Sequence, residues 1–247
     1  MRYFIQLSYK GSAYHGWQIQ PNAVTVQETL QDALSKLLSQ KISVTGAGRT
    51  DTGVHAKQLF AHFDIEETID ADALSFKLNS FLPKDIAIQS IFRVKDDAHA
   101  RFHAVKRSYD YKISLKKDVF EFDYSYYIHQ HLDVSKMNAA ASLLLEYNDF
   151  QCFSKRNTDV KTYNCKIEYA QWKQEGHMLV FTISADRFLR NMVRAIVGTL
   201  VNIGLGKLDI KDVHRIINSK DRSEAGFSVP AKGLYLTEVL YPEDIKM

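Results

Sequence analysis

The stretch Cys165–Ala185, CKIEYAQWKQEGHMLVFTISA, decides the class of fold. Two strand-like runs flank the dipeptide Glu175-Gly176, and this pattern predicts two antiparallel strands joined by a tight turn. Parallel strands cannot be joined so closely, because they need a long crossover connection. A hairpin of this kind favours a mainly antiparallel sheet over a doubly wound parallel one.

Strand and helix patterns alternate on both sides of this hairpin. Apolar alternation predicts strands at residues 2–9, 42–45, 59–65, 85–94, 105–115 and 234–241, and 3.6-residue periodicity predicts helices at 25–40, 72–81, 133–146, 187–202 and 209–218. Thr25 and Glu28 have the spacing of a capping box. The order of elements recurs in the second half of the chain. We therefore predict an α+β fold with two similar halves, residues 1–104 and 105–247.

The composition is that of a globular chain with a mild positive charge. Of 247 residues 45% are hydrophobic and 12% aromatic, and the formal net charge is +3, which alone does not identify a nucleic-acid partner. The distribution is uneven. Residues 99–117 contain six cations and one acid, and residues 187–222 contain eight cations and three acids.

Two cysteines, Cys152 and Cys165, provide neither a metal framework nor a disulfide scaffold, so a reducing cytoplasmic setting is the default expectation. The amino-terminal residues alternate like a strand and lack the apolar core of a signal peptide. No apolar run is long enough to span a membrane.

A second informative stretch is Thr45–Ala56, TGAGRTDTGVHA, which places Arg49, Asp51 and His55 in a glycine-rich loop. The simplest interpretation is a solvated loop. The triplet Asp51-Thr52-Gly53 also occurs in aspartic proteases, but those enzymes need two such triplets to share a proton, and this chain has one. A third interpretation is a single carboxylate held near a guanidinium.

Two further patterns have both a structural and a nucleic-acid interpretation. Arg187, Arg190 and Arg194 fall on one face of the predicted helix 187–202, and no acid accompanies them there, although a solvated basic face is the simpler interpretation. Tyr109 shares a strand face with Tyr111, so it is either a core residue or, at the beginning of the strand after Lys106 and Arg107, a platform on which a base stacks.

Other sites are weakly indicated. His99 and His103 have the spacing of helical zinc ligands, but no third ligand accompanies them. The sequence contains no phosphate-binding P-loop, no dinucleotide-binding glycine motif and no zinc deaminase signature.

Several blocks together resemble the tRNA pseudouridine synthase A family. The block GRTDTGVHA at 48–56 resembles its catalytic motif, and similar blocks in the same order include YKGSAYHGWQIQ, DDAHARFHAVKRSYDY, FLRNMVRAIVGTLVNIG and AKGLYLTEVLYP. The resemblance extends over nearly the whole chain. Thr52 stands where the family commonly has alanine.

The resemblance implies an isomerase that converts uridines at positions 38, 39 and 40 of the tRNA anticodon arm to pseudouridine, without cofactor or metal. It implies a continuous mixed sheet with a central catalytic cleft, the two halves forming one catalytic unit. By motif position Asp51 is the essential carboxylate, Tyr109 stacks on the uracil, Arg194 pairs with Asp51, and Arg49 helps to hold the extruded nucleotide.

Partners follow from the same resemblance and from the charge distribution. The family dimerises, and a homodimer would present the cation-rich segments twice to a tRNA. We expect Lys106, Arg107, Arg187 and Arg190 to contact RNA phosphates. A protein that binds the anticodon arm without catalysis is the alternative, and it would need no buried carboxylate at Asp51.

Overall fold

The computed structural model describes residues 1–155 and 160–247, and it divides into two compact units. Unit 1 contains Met1–Lys106 and Tyr235–Met247, and unit 2 contains Arg107–Leu234. Within the described residues there are nine β strands and five α helices, which confirms the α+β class. The carboxyl-terminal strand belongs to the unit formed by the amino-terminal part of the chain.

Unit 1 is organised around strand β1 (Arg2–Tyr9). This strand pairs antiparallel with both β3 (His55–Asp64) and β4 (Ile86–Val94), so both of its edges are hydrogen-bonded, and most of its residues are buried. Strand β9 (Leu234–Leu240) lies parallel to β3, with His55 opposite Tyr235. The beginning of β3, directly after the Asp51 loop, is therefore held between two strands.

The predicted strand at residues 42–45 is wrong in extent. Only β2 (Thr45–Gly46) pairs with β3. The backbone just before it instead bonds to side chains of helix α1 (Val26–Leu37): Ile42 N donates to Ser35 Oγ, and Val44 N donates to Gln31 Oε1 at 2.9 Å. These side-chain acceptors satisfy the backbone groups that a longer strand would have paired.

Each of the two helices of unit 1 begins after a residue that caps it. The Thr25 side chain accepts a hydrogen bond from the backbone N–H of Glu28, and α1 begins at the next residue, Val26. Asp70 caps helix α2 (Ala71–Phe81) in the same way through the N–H of Ala73. Each cap satisfies a backbone donor that the first turn leaves without a partner.

Unit 2 contains the hairpin that the sequence predicts. Strands β7 (Ile167–Glu175) and β8 (Met178–Ala185) pair antiparallel, and Gly176 turns between them at φ +61°. Strand β5 (Lys106–Ser114) pairs antiparallel with β8, and the short β6 (Tyr126–Tyr127) lies parallel to the end of β5.

Helix α4 (Met192–Gly204) is almost wholly buried in unit 2, where α3 (Val134–Leu143) packs against it, and α5 (Asp212–Ser219) follows along the chain. The predicted start of this helix at Arg187 is wrong. Asn191 precedes the first turn with φ +67°, a left-handed conformation that asparagine tolerates better than most residues. Arg187 and Arg190 therefore lie before the helix and share no helical face with Arg194.

Candidate active site

Asp51 lies on the loop between β2 and β3, and its side chain is half-buried. The backbone N–H of Val54 donates to the carbonyl oxygen of Asp51 at 3.1 Å and closes a turn. Gly53, inside this turn, takes φ +78°, a region that favours glycine. The aspartate thus stands just before a turn whose geometry depends on glycine.

The other charged and polar residues of the loop differ in exposure. Arg49 is exposed, as a solvated loop would predict. His55 is buried, with its ring stacked on Tyr235 at 4.7 Å between centroids, and its Nδ1 accepts a hydrogen bond from the backbone N–H of Gly11. A plainly solvated loop therefore describes Arg49 but not His55.

A second segment, Gly11–Trp17, packs directly against the Asp51 loop, and we call it the brace segment. The N–H of Trp17 donates to the carbonyl oxygen of Thr50, and the N–H of Gly53 donates to the carbonyl oxygen of Tyr14, each at 3.3 Å. These two bonds fix the backbone on both sides of Asp51.

Two glycines of the brace segment allow this close approach. A Cβ atom on Gly16 would lie 2.3 Å from the carbonyl oxygen of Thr50, and one on Gly11 would lie 2.0 Å from that of Val54. Gly16 also has φ +87°. Since either contact is far shorter than any real Cβ contact, only glycine fits at these positions. The hydroxyl groups of Tyr9 and Thr50 add a buried hydrogen bond of 2.9 Å.

The brace segment is itself tied to helix α1 and to the residue before β4. The N–H groups of Val26 and Gln27, in the first turn of α1, donate to the carbonyl oxygens of Gly16 and Trp17. The hydroxyl of Tyr14 donates to Asp85 at 2.7 Å. Burial and this carboxylate together raise the pKa of Tyr14, so the hydroxyl stays protonated as the donor. The Asp51 loop is therefore connected to the main elements of unit 1.

In unit 2, Tyr109 and Tyr111 lie on the same face of strand β5 but differ in burial. Tyr111 is fully buried and donates its hydroxyl hydrogen to the carbonyl oxygen of Pro230 at 2.9 Å. Tyr109 is only half-buried, and its ring meets Phe188 edge to face at 5.1 Å. A partly open aromatic ring at the beginning of a strand can offer a surface to a base, whereas Tyr111 is a core residue.

Arg194 lies in the first turn of α4, half-buried. Its Nε donates to the carbonyl oxygen of Val229 at 2.7 Å, and its own carbonyl oxygen accepts from the N–H of Val229 at 3.3 Å. A guanidinium is a rigid planar fork, so fixing Nε sets the plane in which the other donors point.

The four basic residues expected to contact RNA differ in their surroundings. Lys106 forms an ion pair with Glu238 at 3.8 Å, and Arg107 donates to the carbonyl oxygen of Asp186 at 2.9 Å. Arg187 is half-buried and Arg190 is exposed. The Lys106 pair is partly exposed, and ion pairs in contact with solvent contribute at most about 1 kcal/mol, so an RNA phosphate can compete for this lysine.

His99 and His103, whose spacing resembles that of helical zinc ligands, accept hydrogen bonds from nearby backbone N–H groups. The Nδ1 atom of His103 accepts from the backbone N–H of His99, and Nδ1 of His99 accepts from those of Arg101 and Phe102. Burial lowers the pKa of His99, in keeping with a neutral acceptor ring. Across residues 1–155 and 160–247, no group of three or more His, Cys, Asp or Glu side chains is placed to hold a metal ion.

The two cysteines of the chain are both inside the protein. Cys152 and Cys165 are free and buried, and burial raises the pKa of each thiol to about 12. Buried, protonated thiols of this kind are unreactive. In the part of the chain that is described, none of the helices has the length and apolarity needed to cross a bilayer.

The Asp51 loop is evident as a candidate site in the sequence, whereas the brace segment that holds it is not. The signal was present in the two glycines of the stretch KGSAYHGW, residues 10–17, because glycine often marks a place where another backbone comes close. Which backbone approaches depends on contacts across about forty residues of sequence, and glycines alone do not specify that partner.

An α+β chain that fixes one half-buried aspartate on a glycine-rich loop, within the motif GRTDTGVHA, is typical of the pseudouridine synthases. A family model described as tRNA pseudouridine synthase matches residues 6–103 and 140–242. This chain belongs to that family.

Individual relatives resemble the chain along almost its entire length. It is 54% identical to the tRNA pseudouridine synthase A of Bacteroides fragilis over 246 residues, which cover 99% of this chain and 98% of the relative. The protein of that name from Porphyromonas gingivalis is 51% identical, again covering 99% and 98%. The one from a Thermoanaerobacter species is 42% identical, covering 96% and 98%.

The brace segment can be tested with Gly16→Ala. The new methyl group would meet the carbonyl oxygen of Thr50 and would stand on a backbone at φ +87°, so the loop that carries Asp51 must shift. Because small misplacements of catalytic groups are costly, we expect the rate of pseudouridine formation under single-turnover conditions to fall by about tenfold or more.

Gly48→Ala is the matched control in the same loop. A Cβ atom at Gly48 would have no heavy atom within 4 Å, so we expect this variant to retain the parental rate. A Gly16→Ala protein as active as the parent would show that the close contact with Thr50 does not position the loop.

Proposed function

We propose that this chain isomerises uridine to pseudouridine in the anticodon arm of tRNA, at positions 38, 39 and 40, with Asp51 as the essential carboxylate. Membership of the family supports the reaction class, that of an isomerase. The observation that carries the site assignment is the half-buried Asp51 side chain on a loop fixed by two backbone bonds to the brace segment.

The reaction needs no co-reactant, because substrate and product are isomers. The bond between C1′ and N1 breaks, the uracil rotates, a bond between C1′ and C5 forms, and the hydrogen on C5 is lost while N1 gains one. An ionised carboxylate can act in such a reaction as a nucleophile or as a base. A rigid loop supports either role, since it holds the carboxylate in place before the substrate arrives.

The target base must leave the stack before it can react. Extrusion of a base costs a few kcal/mol, which stacking and phosphate contacts can offset. We assign the stacking surface to Tyr109, whose ring is half-buried, and the contact with the extruded nucleotide to Arg49, which is exposed. These assignments follow the family resemblance, and the exposure of both side chains supports them.

We assign Arg194 the role of ion-pair partner to Asp51, which the resemblance implies. A guanidinium near a carboxylate keeps the carboxylate ionised and fixes its orientation. The support from unit 2 is that the Nε of Arg194 is bonded to the carbonyl oxygen of Val229. The two units would then act together as one catalytic unit.

Phosphate contacts are assigned to Lys106, Arg107, Arg187 and Arg190. Contacts of this kind carry most of the affinity of proteins for nucleic acids and little of the specificity. Arg215 lies in the same cation-rich part of the sequence, but it pairs with two carboxylates, those of Asp212 and Glu224, and a phosphate would have to compete with both. We therefore leave Arg215 out of the set that contacts RNA.

We also propose that the working protein is a homodimer in the cytoplasm. A net charge of +3 is small for one chain that binds an RNA of this size, and two copies double the number of cations offered to it. The free, buried cysteines agree with a reducing compartment.

The central role of Asp51 can be tested with Asp51→Asn. Asparagine keeps the size of the side chain and removes its charge, so we expect pseudouridine formation to be abolished. The affinity for tRNA should change by less than about tenfold, or about 1.4 kcal/mol, because phosphate contacts dominate binding. Release of the C5 hydrogen from labelled tRNA measures the reaction, and filter binding measures affinity.

Thr52→Ala is the control for this experiment, since Thr52 is the exposed neighbour of Asp51 and is given no role in the reaction. We expect it to retain activity. An Asp51→Asn protein that still forms pseudouridine would remove the carboxylate from the mechanism. A parental protein that binds tRNA but forms no pseudouridine would instead point to the alternative, a binding module.

Tyr109 can be tested with Tyr109→Leu, because the core and stacking interpretations predict different results. If the ring stacks on the base, the variant should lose at least about tenfold in rate, since stacking contributes about 1–3 kcal/mol per base. Its melting temperature should change little. A large fall in melting temperature with retained activity would show that Tyr109 is a core residue.

The dimer is tested by light scattering at the concentration used in the activity assay, where we expect the mass of two chains. Reversing the charge of Arg190, far from Asp51 in the sequence, should weaken binding of whole tRNA more than binding of an isolated anticodon stem-loop. A monomer that modifies tRNA at the full rate would contradict the proposed dimer.

A further inference from the structure

Arg222, which has no role in the reaction described above, makes three hydrogen bonds to the residues that follow it. Its Nη1 donates to the carbonyl oxygen of Gly226 at 3.0 Å and to that of Ala225 at 3.5 Å. Its Nη2 donates to the hydroxyl oxygen of Ser228 at 2.8 Å. The half-buried guanidinium thus restricts the conformation of residues 225–228.

That stretch, Ala225–Pro230, is here called the strap, and it lies directly on helix α4. The N–H of Gly226 donates to the hydroxyl of Thr199 at 2.8 Å. A Cβ atom at Gly198 would lie 1.8 Å from the carbonyl oxygen of Phe227, so the strap and the helix touch backbone to backbone. The strap is therefore seated on α4 through contacts that do not involve Arg222.

The far end of the strap is hydrogen-bonded to Arg194. The carbonyl oxygen of Val229 accepts from Nε of Arg194, and the N–H of Val229 donates to the carbonyl oxygen of the same residue. The next residue, Pro230, accepts from the hydroxyl of the buried Tyr111, on the strand that also carries Tyr109. Any change in the path of the strap would move the acceptor that holds the Arg194 guanidinium.

Arg222 acts at the middle of this chain of contacts. The Ser228 hydroxyl that it bonds also accepts from Nδ2 of Asn191 at 2.7 Å, and Asn191 is the left-handed residue before the first turn of α4. Arg222 and Asn191 thus fix Ser228 from two sides. Val229, the acceptor for Arg194, follows at the next position.

We propose that Arg222 is a positioning residue that orients the Arg194 guanidinium through the strap. The proposal rests on the function assigned to Arg194 above. Arg222 itself touches neither substrate nor reacting atoms in this account. Its three hydrogen bonds restrict the strap to one conformation. The carbonyl oxygen of Val229 is then held in place, and the plane of the Arg194 guanidinium is fixed before the substrate binds.

The test uses Arg222→Met, which keeps the length and apolar stem of the side chain and removes its donors. The Gly226–Thr199 bond and the buried helix α4 remain, so we expect the protein to fold with a modest fall in melting temperature. The turnover number should fall by about tenfold or more, and KM for tRNA should stay within about twofold of the parental value.

Arg215→Met is the matched control. Arg215 is an exposed arginine that bonds Asp212 and Glu224 and makes none of the strap contacts, so its loss should leave the turnover number unchanged. Arg222→Lys should recover part of the rate, because an ammonium can still donate to one or two of the three acceptors. A rate between those of Arg222→Met and the parent would support a role that depends on the number of hydrogen bonds, whereas a parental rate in Arg222→Met itself would overturn the proposal.

A readout independent of activity follows Arg194 directly. In protein labelled with ¹⁵N-arginine, the Nε–H resonance of Arg194, assigned by its absence in Arg194→Lys, should exchange slowly with solvent because it is bonded to Val229. In Arg222→Met this protection should decrease, whereas in Arg215→Met it should not. Unchanged protection in Arg222→Met would overturn the proposal.

A double-mutant cycle separates this proposal from the function assigned to Arg194. If Arg222 acts through Arg194, adding Arg222→Met to Arg194→Lys should lower the rate by less than about twofold further. The same tenfold loss in both backgrounds would show that Arg222 acts by another route. If Arg194→Lys alone keeps the full rate, the role assigned to Arg194 is wrong, whatever the exchange experiment shows.

Discussion

The close backbone contact between the brace segment and the Asp51 loop is the constraint on which the candidate site depends. Asp51 lies on a loop without regular structure, and a loop alone does not hold a carboxylate in one place. The contact at Gly16, with the hydrogen bonds of Trp17 and Gly53, makes this loop part of the rigid frame of unit 1. Helix α1 and Asp85 hold the other side of the brace segment, so the frame extends from the loop into the helix and the sheet.

In unit 2, a backbone contact at a glycine also helps to hold a charged side chain in one orientation. Arg194 has a flexible side chain, and the strap fixes its Nε through the carbonyl oxygen of Val229. The strap can lie on α4 only because Gly198 has no side chain. In both units, then, a glycine allows two backbones to touch, and the contact orients a charged side chain. Preorganisation of charged groups is a large contribution to catalysis in general, and in both units a glycine is needed for the backbone contact on which it would rest.

The parts of the fold that could be predicted from the sequence are those specified by local patterns. The hairpin at Glu175-Gly176 and the cap at Thr25 depend on a few adjacent residues, and both are confirmed. The predicted start of α4 is wrong because the helical spacing of the arginines and of the apolar residues extends back to Arg187 and Leu189, whereas the left-handed Asn191, which bonds to Ser228 of the strap, makes the helix begin later in the sequence. The strand predicted at 42–45 was wrong because side chains of α1 take its backbone partners.

The candidate site likewise has one part that the sequence indicates and another part that it does not. Asp51 stood out in the sequence because its charge in a glycine-rich loop had no structural explanation. The brace segment and the strap did not, because both depend on contacts between segments distant in sequence. The family match supports the reaction class, and the structure shows how the loop that carries Asp51 is held.

The most direct test of this account is nucleoside analysis of an unmodified tRNA transcript after incubation with the purified protein. We expect pseudouridine to replace uridine, and fragments from nuclease digestion should place it in the anticodon arm. No metal or cofactor should be required, so the reaction should proceed in the presence of a chelator. A protein that binds the transcript tightly and leaves every uridine unchanged would contradict the account.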